Sequence, residues 1–520
     1  MSPTRREPPV SYGGTDARGT AAAGANAILT PVPDVALDEP AGVWASACTL
    51  APVAVLSGAT MFFCNVGQSV TLGLIGHYLT YQDLGGACVG LSLMWSLFAY
   101  PLFGCSFALD TLLSQIFGAT PDSDDLGEVL QRSWLVSGLL WLPMAVATTS
   151  GALGPLVHLL FPAEVARPTV VWLEGSAVVI LSYVLARSVA KFFNMQQLST
   201  YPVLASIAAL ASSPFWHAYF IPRYGLKGAA IAYGMTYVVE FVVGIFFVMW
   251  RADTRARFGR PSFARVANWD GLREYFALGL PSMLLVAGEA AIFDTASIIA
   301  GHLGADIAAA YGVVFSISFA VVALPGGVST AVCAVAGAAI GEEQPMKGRR
   351  FALVGLFISL LCGIATSFVT VWQHKLVFSY FTDSPQVMAQ ADKLLWLIPF
   401  FFCLDAVQYA FQGVFSALGR NDLGGMLLMA SLWGVAFPLM LYWQHTGRGI
   451  AGVMGGMCVG MAIEIPLMMY FVFHRLSWRT VVSVRGSPVL SQFASVADLV
   501  SASSAGGAVS PSPERKQFPS

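Results

Sequence analysis

The sequence predicts an all-α polytopic membrane protein, twelve transmembrane helices built as two pseudo-symmetric lobes of six. Three observations carry this expectation: the composition, the number of apolar stretches of spanning length, and a repeat that relates the two halves. Of 520 residues 56% are hydrophobic and only 11% charged, with a mean hydropathy of +0.68. A soluble globule carries about 25% charged residues to cover its surface, so this chain lacks the polar material to face water.

Taken in order, residues 1–46 are rich in Pro, Gly, Ala and Ser and have no helical apolar periodicity, which predicts a disordered tail. The opening MSPTRREPPVSYGG has charge but no apolar core behind it within the first 25 residues, so no signal peptide is expected and the first span serves as its own membrane signal. Spans follow at 47–76, 84–108, 132–160, 168–190, 201–221 and 226–250, an N-lobe of residues 47–250. After a basic loop at 251–275, a C-lobe of residues 276–480 holds spans at 276–301, 307–338, 351–372, 391–418, 423–443 and 449–474. Residues 481–520 read as a second disordered tail. Every backbone group in hydrocarbon must be paired, so all twelve spans are expected to be helices, kinked at prolines such as Pro101, Pro214, Pro281 and Pro438.

Loop charge sets the orientation. With both tails cytoplasmic, sixteen Lys and Arg fall inside, including Arg132, Arg187, Lys191 and six in the 251–275 loop, against six outside. The chain is thus expected to be a multi-pass protein of the plasma membrane or a vacuole-like membrane.

The halves repeat each other. YGLKGAAIAYGMTYVVEF and RGIAGVMGGMCVGMAIEI superpose at an offset of 224, matching Gly225 with Gly449, Gly228 with Gly452 and Glu240 with Glu464; Pro214 and Pro438 share that offset. Gly76-His77 pairs with Gly301-His302 at 225, and Gly118 with Gly341 at 223. Each half has an even number of spans, so the halves enter the membrane from the same face. The relating axis then lies along the membrane normal, with a substrate site between the lobes, as in transporters built from parallel repeats.

Several chemistries are excluded. A net charge of -2 disfavours a nucleic-acid partner. The eight cysteines are dispersed in apolar segments without a CxxC, and seven scattered histidines form no HxxxH pair, so neither a disulfide framework nor a metal site is expected. No lysine precedes Ser or Thr in a GK[ST] loop, and GRGIAG at Gly447 to Gly452 follows no strand, so no nucleotide or other cofactor is expected.

What remains are polar groups at membrane depth. GEAAIFD places Glu289 and Asp294 inside an otherwise uncharged span. A carboxylate there costs about 2.5–3.5 kcal/mol on insertion scales, which makes it functional by default; the alternative is a structural carboxylate bonded to a neighbouring helix. Asp405 is a third such acid. Five residues at 100° each place Asp294 about 140° around the helix from Glu289, so Glu289 and Asp294 cannot face one small cavity equally. Asn65, Gln68, Gln196, Asp110, Glu240 and Glu464 are candidates for cavity or structural polar positions. Glu240 and Glu464, equivalent in the repeat, read as architectural, and Asp110 as a hydrogen-bonding group near the cytoplasmic surface. Met61, Phe62, Phe63, Tyr311 and Phe315 are candidates to line a cavity for flat cations.

LDTLLSQIFGA (Leu109 to Ala119), KFFNMQQLSTYP (Lys191 to Pro202), GLPSMLLVAGEAAIFD (Gly279 to Asp294) and FCLDAVQYAFQGVFSALGRND (Phe402 to Asp422) resemble the signature segments of the multidrug and toxic compound extrusion (MATE) family, eukaryotic type. The resemblance spans residues 47 to about 480. It implies a secondary antiporter that exports organic cations, drugs or metabolites in exchange for protons, with sodium left open as the coupling ion, working as a monomer in the lipid bilayer. It also implies that Glu289 and Asp405, matching the acids of the seventh and tenth helices, carry proton coupling, with Asp294 as a second acid on the seventh. Two departures stand out: Ser316 occupies the place of a glutamate found on the eighth helix of animal members, and the first helix has no acid, only Asn65 and Gln68. The alternatives are an organic-anion or lipid exporter of related architecture, or a membrane-embedded transferase. Cations are preferred because the span assignment leaves no Lys or Arg at cavity depth.

Overall fold

The computed structural model describes residues 40–381 and 385–478. Most of the expected tails therefore lies outside the described residues. Residues 40–46 instead open the first helix, Pro40–Tyr78, where Ser46 donates to the Gly42 carbonyl.

Among the described residues all regular structure is helical. Eleven helices are long and apolar enough to span: α1 (Gly42–Tyr78), α2 (Gln82–Ala119), α3 (Asp125–Thr149), α4 (Ala163–Met195), one helix over Thr200–Trp250, α7 (Trp269–Ala300), α8 (Ala310–Gly341), α9 (Pro345–Trp372), α10 (Ile398–Leu418), α11 (Asn421–His445) and α12 (Gly449–Arg475). The 51-residue helix is two spans, α5 and α6, broken at Gly225, whose φ of 56° lies in the left-handed region. Its repeat partner Gly449 has φ 57° and starts α12. Both sites need a backbone that L residues rarely adopt, which is why the repeat holds glycine there. The twelve expected spans are thus present.

Three boundary differences have a local cause. The third span ends at Thr149, because Gly151 (φ 68°) turns the chain before a separate helix, Gly154–Leu160. The tenth begins at Ile398, after a short helix at Pro385–Asp392. The second runs on to Ala119, passing a π segment at Trp95–Ala99 just before Pro101. A second π segment, Met429–Ala436, precedes Pro438 in α11. Proline removes a backbone donor and crowds the preceding turn, and a wider turn ahead of it relieves both.

The lobes meet as the repeat requires. A Cβ on Gly118 would strike the backbone of Ala338, and one on Gly341 the backbone of Gln115, which is the same contact twice at an offset of 223. Likewise Gly104 abuts Met283 while Gly327 abuts Gly58. This reciprocity is the mark of a two-fold relation. Glycine lets backbones approach within van der Waals range where lipid supplies no hydrophobic drive. Across the seam Thr111 Oγ1 donates to the Ser416 carbonyl (2.6 Å) and Gln115 Nε2 to that of Ala417 (2.9 Å). Exposed Leu, Phe, Val and Trp side chains cover the outside, as a lipid-facing surface demands.

Candidate substrate and coupling cavity

A cavity of about 200 Å³ lies between the lobes. Asn65 and Gln68 of α1, Tyr100 and Asp110 of α2, Arg187 and Lys191 of α4, Glu289 of α7 and Tyr409 and Gln412 of α10 contribute to its wall.

On the C-lobe side, Glu289 is 6% exposed and accepts two hydrogen bonds from α10, Gln408 Nε2 at 3.0 Å and Gln412 Nε2 at 2.5 Å. Each carboxylate oxygen therefore has an amide donor. Asp405 sits on the same helix, buried, with no hydrogen-bond partner among the described residues. Asp405 and Glu464 are the acidic side chains near Glu289. Glu464 of α12 is fully buried, and both its oxygens lack a hydrogen-bond partner among the described residues. Asp294 points elsewhere: the Ser96 hydroxyl of α2 donates to it, so it ties the seventh helix to the second across the lobe boundary. Glu289 faces α10 and Asp294 faces α2, as the 140° separation requires. These acids do not converge on one point; among the described residues no three His, Cys, Asp or Glu side chains are placed to hold a metal ion.

The N-lobe side is built from ion pairs. Buried Glu240 of α6 pairs with buried Arg187 of α4, and Cys64 Sγ lies 3.9 Å from the same carboxylate. Lys191, one turn on, pairs with Asp110 at 2.5 Å, donates to the Ser106 carbonyl at 3.4 Å and sits 3.9 Å from the centroid of the Phe107 ring. Three expectations are corrected here. Arg187 and Lys191 were expected in a cytoplasmic loop, and no Lys or Arg at cavity depth, yet both are buried inside α4 on the cavity wall. Asp110 was expected near the surface, yet it is buried in α2 beside Lys191. The physical reason is common to all three: each charge carries its countercharge into the interior, which removes the penalty that would otherwise end a span.

The remaining candidates divide. Asn65 Nδ2 donates to the Phe319 carbonyl at 3.0 Å, linking α1 to α8, and Gln68 accepts from Tyr233 at 3.5 Å; both line the cavity. Gln196 does not. It donates to the Phe192 carbonyl at 2.7 Å and accepts from Arg257 Nη1 at 3.0 Å, anchoring the segment after α6. Met61 lines the cavity, Phe62 is exposed, and Tyr311 and Phe315 stack on each other beside the C-lobe core. Gln408 and Gln412 escaped the sequence reading, although Asp405, Gln408 and Gln412 repeat at helical spacing along one stripe of α10.

The profile of the MatE family matches residues 57–219 and 281–441. A probable multidrug resistance protein NorM of Xylella fastidiosa is 24% identical over 402 residues, 74% of this chain and 83% of that one. The multidrug and toxin extrusion protein 1 of Xenopus tropicalis is 24% identical over 460 residues, 85% and 76% of the two chains. Among solved structures, the eukaryotic MATE transporter AtDTX14 superposes with a TM-score of 0.78 at 20% identity, covering 84% of this chain and 97% of its own.

Proposed function

The chain belongs to the MatE family of multidrug and toxic compound extrusion transporters, a transporter and not an enzyme, and from that premise we propose an antiporter that exports organic cations, drugs or metabolites in exchange for protons. One observation carries the choice of a cation: both bases on the cavity wall, Arg187 and Lys191, are matched by acids, while Glu289 on that wall has no base beside it, nor has Asp405 on the neighbouring α10. The cavity therefore holds excess negative charge, which attracts a cation or a proton and repels an anion.

Glu289 and Asp405 are the exchange site. The two amides of α10 donate to Glu289, and a bound cation or a bound proton neutralises the same charge. Proton and substrate then compete for one charge, so releasing one permits loading the other. The inward proton gradient drives the substrate out. With Arg187 and Lys191 moved to the cavity wall, fourteen basic residues remain in the inner loops and adjoining helix ends against six at the outer side, which favours cytoplasmic tails.

A second reading, an exporter of organic anions, draws on Arg187 and Lys191 at the cavity. Both already hold a carboxylate, which disfavours it. Flux of a panel of cations and anions into inside-out vesicles, with an imposed proton or sodium gradient, tests the choice. Cation uptake driven by the proton gradient is expected. Flux that ignores pH, or that follows sodium alone, overturns the coupling, and transport confined to anions overturns the substrate class.

A further inference from the structure

Glu464 is fully buried and both carboxyl oxygens lack a hydrogen-bond partner. Its repeat counterpart Glu240, 224 residues earlier, is matched by Arg187. Among the described residues no Lys or Arg of the C-lobe is paired with Glu464. The caps that end α4 and α10 correspond at an offset of 222: Leu198 N donates to Phe193 O and Arg420 N to Phe415 O, both at 2.9 Å, with left-handed residues at Gln197 and Gly419. That register puts Tyr409 where the N-lobe has Arg187. Glu464 has the acid Glu289 of α7 near it, Tyr409 of α10 lies near Glu289 and Asp405, and Arg420 is tied to Asp422. None of these groups supplies a free positive charge.

A carboxylate with neither donor nor cation cannot stay ionised inside an apolar bundle, so Glu464 holds its proton here. A structural carboxyl would have partners, and this one has none in either form. An unsatisfied buried group of this kind calls for a function or for another state that satisfies it.

We propose that Glu464 is a second proton carrier of the C-lobe, protonated in the arrangement seen here and ionised in the alternate arrangement of the lobes. In that other state its O–H bond breaks and the proton passes to water on the cytoplasmic side. On return the bond re-forms with a proton from the opposite side, and nothing is oxidised or reduced. Each cycle then exchanges one proton at the Glu289–Asp405 site and one at Glu464. The inference rests on the proton-antiport reading.

The test is the proton-to-cation ratio of the full chain in liposomes, read from the pH gradient at which flux of ethidium, a monovalent cation, reverses at a clamped membrane potential. About two protons per ethidium are expected for the natural chain and about one for Glu464→Gln, with Glu464→Asp returning to about two. A ratio of one in the natural chain, or of two in Glu464→Gln, overturns the proposal while leaving proton antiport intact. Ethidium flux blind to pH in the natural chain overturns both. Should Glu464→Gln fail to fold, the infrared C=O band of a protonated carboxylic acid must change position in Glu464→Asp. An unchanged band sinks the proposal equally.

Discussion

The two lobes share a backbone and differ in where they keep charge. The repeat sets Cys64 against Glu289 (offset 225), Glu240 against Glu464 (224), Arg187 against Tyr409 (222), Asp110 against Cys333 (223) and Lys191 against Gly413 (222). In the N-lobe each of these acids has a base beside it, and in the C-lobe the acids stand without one. A buried pair is electrically neutral at any ordinary pH and serves to hold helices together. Unpaired acids respond to whatever enters the cavity. On the proposed reading, one fold divides its labour by moving bases: the N-lobe as a braced wall, the C-lobe as the titrating one.

The largest test of that division is Glu289→Gln, which keeps shape and amide contacts but removes the titrating charge. Proton-driven cation uptake is expected to fall about 100-fold, the loss of a switch that holds one arrangement at about 99:1. Asp405→Asn should act alike, and the double variant no worse than either single, because groups acting as a unit are non-additive. Near-normal, pH-dependent flux in Glu289→Gln would make the C-lobe acid structural and erase the contrast between lobes.

Next is Glu240→Gln, which leaves Arg187 buried and uncompensated. A loss of about 3–5 kcal/mol is expected, seen as a lower thermal midpoint in detergent, with coupling intact in the protein that folds. Pairing it with Arg187→Met should recover much of the stability. Should Glu240→Gln fold normally and lose coupling instead, the N-lobe is a titrating lobe too.

Asp294→Asn probes the boundary between the lobes. It weakens the charge-assisted bond from Ser96, worth about 1.5–3 kcal/mol, and should slow transport several-fold without changing its pH dependence. A shift of the pH profile would move Asp294 into the exchange site.

The smallest effect lies outside the membrane. Arg251 grips Asp253 at 2.6 Å and 2.8 Å, and that pairing lowers the Asp253 pKa to about 2. The folded value lies below the unfolded one of about 3.9, so the contribution is full above that pH and is lost as pH falls through about 2. The pair is a third exposed, so it contributes no more than about 1 kcal/mol. Asp253→Asn should lower the thermal midpoint slightly at neutral pH and progressively less as pH falls to about 2. An equal drop at both would show that packing, not charge, matters there.

Much of this was legible in the chain. The spans could be read because hydrocarbon demands about twenty apolar residues per crossing, and the repeat because Gly225 and Gly449 need the same rare backbone. Glu289, Asp294 and Asp405 stood out as charges where charge is costly. Arg187 and Lys191 misled for the same reason: read along the chain they end a span, and only the fold brings Glu240 and Asp110 beside them. Gln408 and Gln412 were visible as a polar stripe on α10, but their target on α7 lies more than a hundred residues away.

By itself, then, the sequence determined the membrane class, the twelve helices, the two-fold plan and which residues bring charge into the bilayer, since these follow from local composition, periodicity and self-similarity. Only the tertiary structure decided which charges neutralise each other: Arg187 with Glu240, Lys191 with Asp110, amides on Glu289, nothing on Glu464. The reason is that electrostatic energy in a low dielectric depends on distance through space and on burial, and two glutamates at equivalent positions in a repeat meet opposite fates when one neighbouring helix carries arginine and the other tyrosine.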